Sequence, residues 1–205
     1  MKISIIVEGE TEKAFKPHLV KFLESRLSGK MPSLKFDVHH GTIPTSDKLR
    51  RDVQALLSGK QPSDHVIALT DVYTGQNPPI FKDSSEAKRK MKEWVGQESR
   101  FHPHVAQYDF EAWLLPYWED ILKLARHSRK VKPGDNPETV NHNNPPSKHI
   151  GDIFRNGKIR GQYNKPRDAG RILRDNDLSV AINQCSELKA FVNTILHVCG
   201  AKKIQ

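Results

Sequence analysis

Apolar residues along this chain follow two alternating rhythms. Ile3, Ile5, Ile6 and Val7 form a mostly β-branched apolar run too short for a helix, which predicts a buried strand. From Thr11 the period changes, and Phe15, Leu19, Phe22, Leu23 and Leu27 fall on one side at helical spacing. Leu34 to His39 predicts a second strand. Leu49, Val53, Leu56 and Leu57 mark a second helix beginning near Ser46 or Asp47, either a suitable cap, and stopped by Gly59. His65 to Thr70 reads as a third strand, and a helix from Ser84 or Ser85 carries Ala87, Met91, Trp94 and Val95. A fourth strand is expected over His104 to Tyr108. Helical Phe110 to Leu115 follows, then a break at Pro116 and a further helix from Trp118 to Arg126. Strand and helix alternating at short, even spacing predict an α/β fold: a parallel four-stranded sheet flanked by helices on both faces.

Residues 127–146 show no periodicity and predict a long loop of the kind that is functional or mobile. Helices return at Lys148 to Phe154, Arg167 to Leu173, Leu178 to Ile182 and Ser186 to Val198. The expected organisation is an α/β core over 1–115 and a helical, basic extension over 116–205 packed on it as one unit. The 205 residues are ample for such a core. No apolar run approaches the ~20 residues that span a bilayer. A lone lysine before a short apolar run ending in acids is no signal peptide. Cys185 and Cys199 read as core side chains suited to a reducing cytoplasm, so a cytoplasmic protein without membrane contact is expected.

The net charge of +9 is unevenly placed. Between His127 and Arg174 stand eleven Lys/Arg against four acids, in a stretch poor in large apolar residues. Such a segment suits phosphate-bearing polyanions, although a basic surface can also serve solubility alone.

Acids mark the ends of the predicted strands: Glu8 after the first, Asp71 after the third, Asp109 and Glu111 after the fourth. In a parallel sheet those positions share one edge, where open α/β folds bind ligands. A single acid there can simply cap a helix, as Asp109 is well placed to do. A cluster repels itself unless protons or a cation intervene, and Mg²⁺ or Mn²⁺ satisfies carboxylates while reaching phosphate oxygens. The pairs His39-His40 and His102/His104 lack the partners and spacing of a zinc site. Asn141-His142-Asn143 lies in the structureless stretch, and Trp94, Trp113 and Trp118 sit among apolar neighbours that favour core packing.

Val7-Glu8-Gly9-Glu10-Thr11-Glu12 on a strand-to-helix turn resembles the signature of Toprim domains, found in topoisomerases, primases and overcoming-lysogenisation-defect nucleases. Those domains carry a later Asp-x-Asp, of which Asp71-Val72-Tyr73 keeps the first aspartate and has tyrosine at the second. The chain is still more similar to a small bacterial Toprim-like family of unknown function, associated with AAA-type ATPases in phage defence. The landmarks are Gln107 through Leu115, Pro146-Ser147-Lys148, Tyr163-Asn164-Lys165 and Ile182 through Phe191.

The resemblance implies a Toprim-like, Rossmann-like sheet, with Glu8 as acid/base or metal-contacting carboxylate and Asp71 as metal ligand. Glu111 is implied as a further acid at the cleft. Glu12 is a weaker candidate, since an acid in a first helical turn ordinarily complements the helix dipole. With Tyr73 in place of the second aspartate, a two-metal site needs Asp109 or Glu111. Lys148, Lys165 and Arg167 are the candidates for substrate phosphates, or else for surface ion pairs. The resulting expectation is a Mg²⁺-dependent (or Mn²⁺-dependent) nuclease in anti-phage defence, with nucleic acid as substrate and an AAA-type ATPase as partner. A homo-oligomer is left open. The competing expectation is an inactive module that binds nucleic acid or the ATPase.

Overall fold

The computed structural model describes residues 1–29, 31–72, 79–128, 131–140, 144–158 and 161–205. Strands β1 (Lys2–Val7), β2 (Ser33–Val38), β3 (His65–Asp71) and β4 (Phe101–Ala106) form one all-parallel sheet in the order β2-β1-β3-β4. This is the α/β sheet that the alternating rhythms predict.

Burial on both faces explains why β1 reads as a continuous apolar run. Ile3, Ile5 and Val7 pack with Phe15, Leu19 and Leu23 of α1 (Glu10–Glu24). Ile6 faces the other layer, with Leu49, Val53 and Leu57 of α2 (Ser46–Ser58) and Ala87, Met91 and Val95 of α3 (Ser84–Val95). Ser4, the one polar interruption in β1's core, is buried and bonded to Ser63 Oγ at 2.7 Å. Phe15 is 1% exposed, so Phe15→Ala costs about 3–5 kcal/mol through lost burial and the cavity left behind.

Several boundaries differ from expectation. The fourth strand is Phe101–Ala106 and contains Pro103, which is tolerated because β4 is an edge strand with a single partner. Tyr108, expected within that strand, has φ +69° and turns the chain out of the sheet. The N-cap position of α2 falls on Thr45, not on Ser46 or Asp47, and no side chain bonds to the first turn there. At α3 the Asp83 carboxylate accepts the Glu86 N–H at 2.8 Å.

The helical stretch after β4 is a 3-10 helix, Phe110–Tyr117, that carries Pro116 within it and runs directly into α4 (Trp118–Ala125). Nearly all its side chains are buried, so tertiary packing overrides periodicity there. Trp113 stacks on Phe191 with ring centroids 6.2 Å apart and meets Phe110 edge-on at 5.3 Å. Trp113 and Trp118 are core residues, as the pattern predicts.

The chain ends in α5 (Pro146–Asn156), α6 (Lys165–Leu173), α7 (Leu178–Gln184) and α8 (Ser186–Val198). Helix α6 lies on α1, α8 on β4, and α5 on the 3-10 helix. These helices share one apolar cluster with β1, β3 and α1. Within the expected loop, a 3-10 turn at Pro137–Thr139 buries Glu138. The Glu138 carboxylate accepts the Ser186 hydroxyl at 2.8 Å and the Glu187 N–H at 3.0 Å, and so caps α8. Among the described residues, no helix is long and apolar enough to cross a membrane.

Candidate functional site

In the order β2-β1-β3-β4 the chain steps to opposite sides of β1, which opens a crevice between the carboxyl ends of β1 and β3. Register fills it. Val7 pairs with Leu69, so Glu8 emerges beside Thr70. The Glu8 carboxylate accepts the Thr70 hydroxyl and, at 2.9 Å, the Asp71 N–H. Thr70 was not a sequence candidate; only the strand register identifies it.

The other acids arrive from two directions. Glu12, on the first turn of α1, is 5% exposed. Asp109 and Glu111 come from the turn after β4 and are 3% and 0% exposed. Glu8, Glu12, Asp109 and Glu111 all act electrostatically on Asp71, so the five carboxylates lie near one another. Burial pushes every one of them up: Glu12 and Glu111 to about 7, Asp71 well above its ordinary value, with its four neighbours adding to the effect. At Glu8 burial outweighs the opposing Thr70 and Asp71 hydrogen bonds and the Lys165 charge, and at Asp109 it outweighs the Ser147 hydrogen bond.

The landmarks distant in sequence converge here. The Ser147 N–H, near the start of α5, donates to Asp109 Oδ2 at 3.1 Å. The Tyr163 hydroxyl donates to Glu111 Oε1 at 3.4 Å, and Lys165 Nζ pairs with Glu111 Oε2 at 3.2 Å. Asn164 caps α6 by accepting the Arg167 N–H at 3.0 Å, which sets Lys165 as the helix's first residue. Burial opposes the charge on Lys165, but Glu111, Asp109 and Asp71 together hold its pKa above the ordinary value. Lys165 pairs with Glu111, whereas the Glu8 carboxylate is held by the Asp71 backbone N–H.

Of the remaining candidates, Lys148 lines a cleft of about 340 Å³ together with Ser147, Arg155, Tyr163 and Lys165. Arg167 is drawn elsewhere: its guanidinium grips the buried Asp168 through two bonds of 2.9 Å. Tyr73 and Asn141-His142-Asn143 lie outside the described residues.

The donor set has the chemistry for a hard divalent cation: five oxygen-bearing acids, with Asp109 Oδ1 buried and unpartnered among the described residues. Among those residues no group of three or more His, Cys, Asp or Glu is arranged to hold an ion. Mg²⁺ characteristically takes one or two carboxylates and keeps its waters.

No curated protein matches the chain. Among solved structures, the C-terminal region of the Burkholderia pseudomallei OLD protein is similar in fold. Its TM-score is 0.55 at 13% identity, covering 96% of this chain and 98% of that one. That likeness bears on the fold, the parallel α/β sheet flanked by helices that the sequence predicts. A domain of unknown function, DUF4276, matches residues 7–196, and the chain belongs to that family.

Proposed function

We propose that this protein is a divalent-cation-dependent nuclease of Toprim type, acting on phosphodiester bonds of nucleic acid. The observation that carries the reading is the nearness of four buried carboxylates to the half-buried Asp71 and to a cationic cleft at the sheet's switch point, joined through Lys165. Mg²⁺ or Mn²⁺, when bound, supplies Lewis-acid stabilisation of a phosphoryl oxygen and a more acidic water. Asp71, with Asp109 or Glu111, holds the cation. Glu8, raised by burial and oriented by Thr70 and the Asp71 N–H, takes or gives a proton at the reacting oxygen. Lys165 and Lys148 steady the phosphate charge. The resemblance to the defence-associated family extends the proposal to an anti-phage role beside an AAA-type ATPase.

Purified protein with Mg²⁺ or Mn²⁺ is expected to nick plasmid DNA or cleave RNA, and Glu8→Gln or Asp71→Asn to abolish it. Cleavage that persists in both variants, or none in the wild type, removes the mechanism. A second reading, a binding module without turnover, draws on the Lys165–Glu111 ion pair and the lack, among the described residues, of a ready three-acid arrangement. It predicts nucleic-acid binding indifferent to divalent ions and to Glu8→Gln.

A further inference from the structure

Lys165 belongs to two neighbouring environments. On one side its ammonium pairs with Glu111 at 3.2 Å and acts on Glu8, Glu12, Asp71 and Asp109. On the other it lines the cleft of about 340 Å³ with Lys148, Arg155 and Tyr163, and among the described residues no carboxylate lines that cleft. Arg155 is paired with Asp152 on the same helix face, an exposed contact that a stronger anion displaces readily. Tyr163, packed on Phe154 at 5.3 Å and bonded to Glu111, forms the wall between the two environments.

We propose that this cleft is a phosphate subsite, occupied by a phosphate of the nucleic-acid strand, and that Lys165 couples it to the acids. The proposal rests on the cation-binding reading above. A phosphate between Lys148 and Arg155 draws the Lys165 ammonium off Glu111. Glu111 is then freed as an oxygen donor, and the carboxylates lose the internal cation that competes with a divalent ion. The incoming phosphate adds negative charge of its own, so both effects have the same sign. Linkage requires the converse: the divalent ion displaces Lys165 toward the cleft and tightens the strand by the same factor. Strand and ion therefore load together.

Calorimetry tests this with Mn²⁺ and an oligo(dT) strand as probes, the Mn²⁺ taken up by free strand being measured separately and subtracted. The expected results are Mn²⁺ binding about tenfold tighter in Lys165→Met than in wild type, and within about twofold of wild type in Lys165→Arg. Oligo(dT) tightens Mn²⁺ about tenfold in wild type and little in Lys165→Met, with Lys165→Gln as the second neutral variant. In EDTA, Lys148→Gln and Arg155→Gln each weaken oligo(dT) and reduce the salt slope by about 0.7, while exposed Lys123→Gln does neither. Equal Mn²⁺ affinities in wild type, Lys165→Met and Lys165→Gln, unmoved by the strand, overturn the coupling and leave the nuclease reading standing. Cleft variants no different from Lys123→Gln overturn the subsite. No Mn²⁺ uptake by any variant overturns the cation-binding reading itself, and the coupling with it.

Discussion

Replacing Glu12 by glutamine should stabilise the protein increasingly as pH rises from about 5 to 8. Glu12 sits in the first turn of α1, 5% exposed, and its pKa is raised from 4.5 to about 7, by burial first and by Glu8 in addition. Unfolded, the same carboxyl titrates near 4.5. Between those values the folded chain keeps a proton that the unfolded chain has released, so this group's contribution to stability falls as pH rises toward 7. At about pH 8 the buried charge costs about 3 kcal/mol. Neighbouring acids titrate with it, so one substitution recovers a part, about 1–3 kcal/mol. For a chain of this size that is a Tm rise of about 2–12 °C. Glutamine keeps an acceptor oxygen at this position and brings no charge. Melting followed by circular dichroism in EDTA, across about pH 5 to 8, should show the variant gaining with pH and matching wild type at the acid end. Comparing the two proteins at each pH cancels every other titrating group. A variant equal to or weaker than wild type at pH 8, or equally stabilised at pH 5, would refute the idea that Glu12 is a strained acid.

Mn²⁺ at about a hundred times its Kd should raise the wild-type Tm at pH 8 by about 5–11 °C, from about 2.7 kcal/mol of linkage, and Asp71→Asn should diminish that shift. An undiminished shift places the ion elsewhere. Glu138→Ala, which removes the cap on α8, should cost about 2–3 kcal/mol in urea unfolding; a loss below about 0.5 kcal/mol would mean that water replaces the carboxylate. His102 and His104 are pushed down to about 4 and about 3, chiefly by burial, so their contribution is fully present above about pH 6.5 and lost as pH falls through those values. His104→Gln should flatten the decline in Tm between about pH 6 and 4, and an unchanged slope counts against it.

Local pattern carried the architecture. Strands buried on both faces announce themselves as apolar runs, and α1 to α3 as helical stripes, because burial in a parallel α/β layer constrains each residue by its own position in the repeat. The acids at Glu8, Asp71, Asp109 and Glu111 were legible for the same reason: they stand where those patterns stop. Pattern failed around β4 and the 3-10 helix. An edge strand admits Pro103, and a segment buried nearly all round has no polar side from which to read a period.

The sequence by itself determined the four strands, their alternation with helices and the row of acids following them, since each depends on neighbours in the chain. Tertiary structure alone decided the partners. Thr70 meets Glu8 through strand register, Ser147 reaches Asp109, Tyr163 and Lys165 reach Glu111, and Arg167 turns to Asp168. Those contacts link residues up to 62 positions apart, and their energies arise from burial and charge that exist only once the helices close over the sheet.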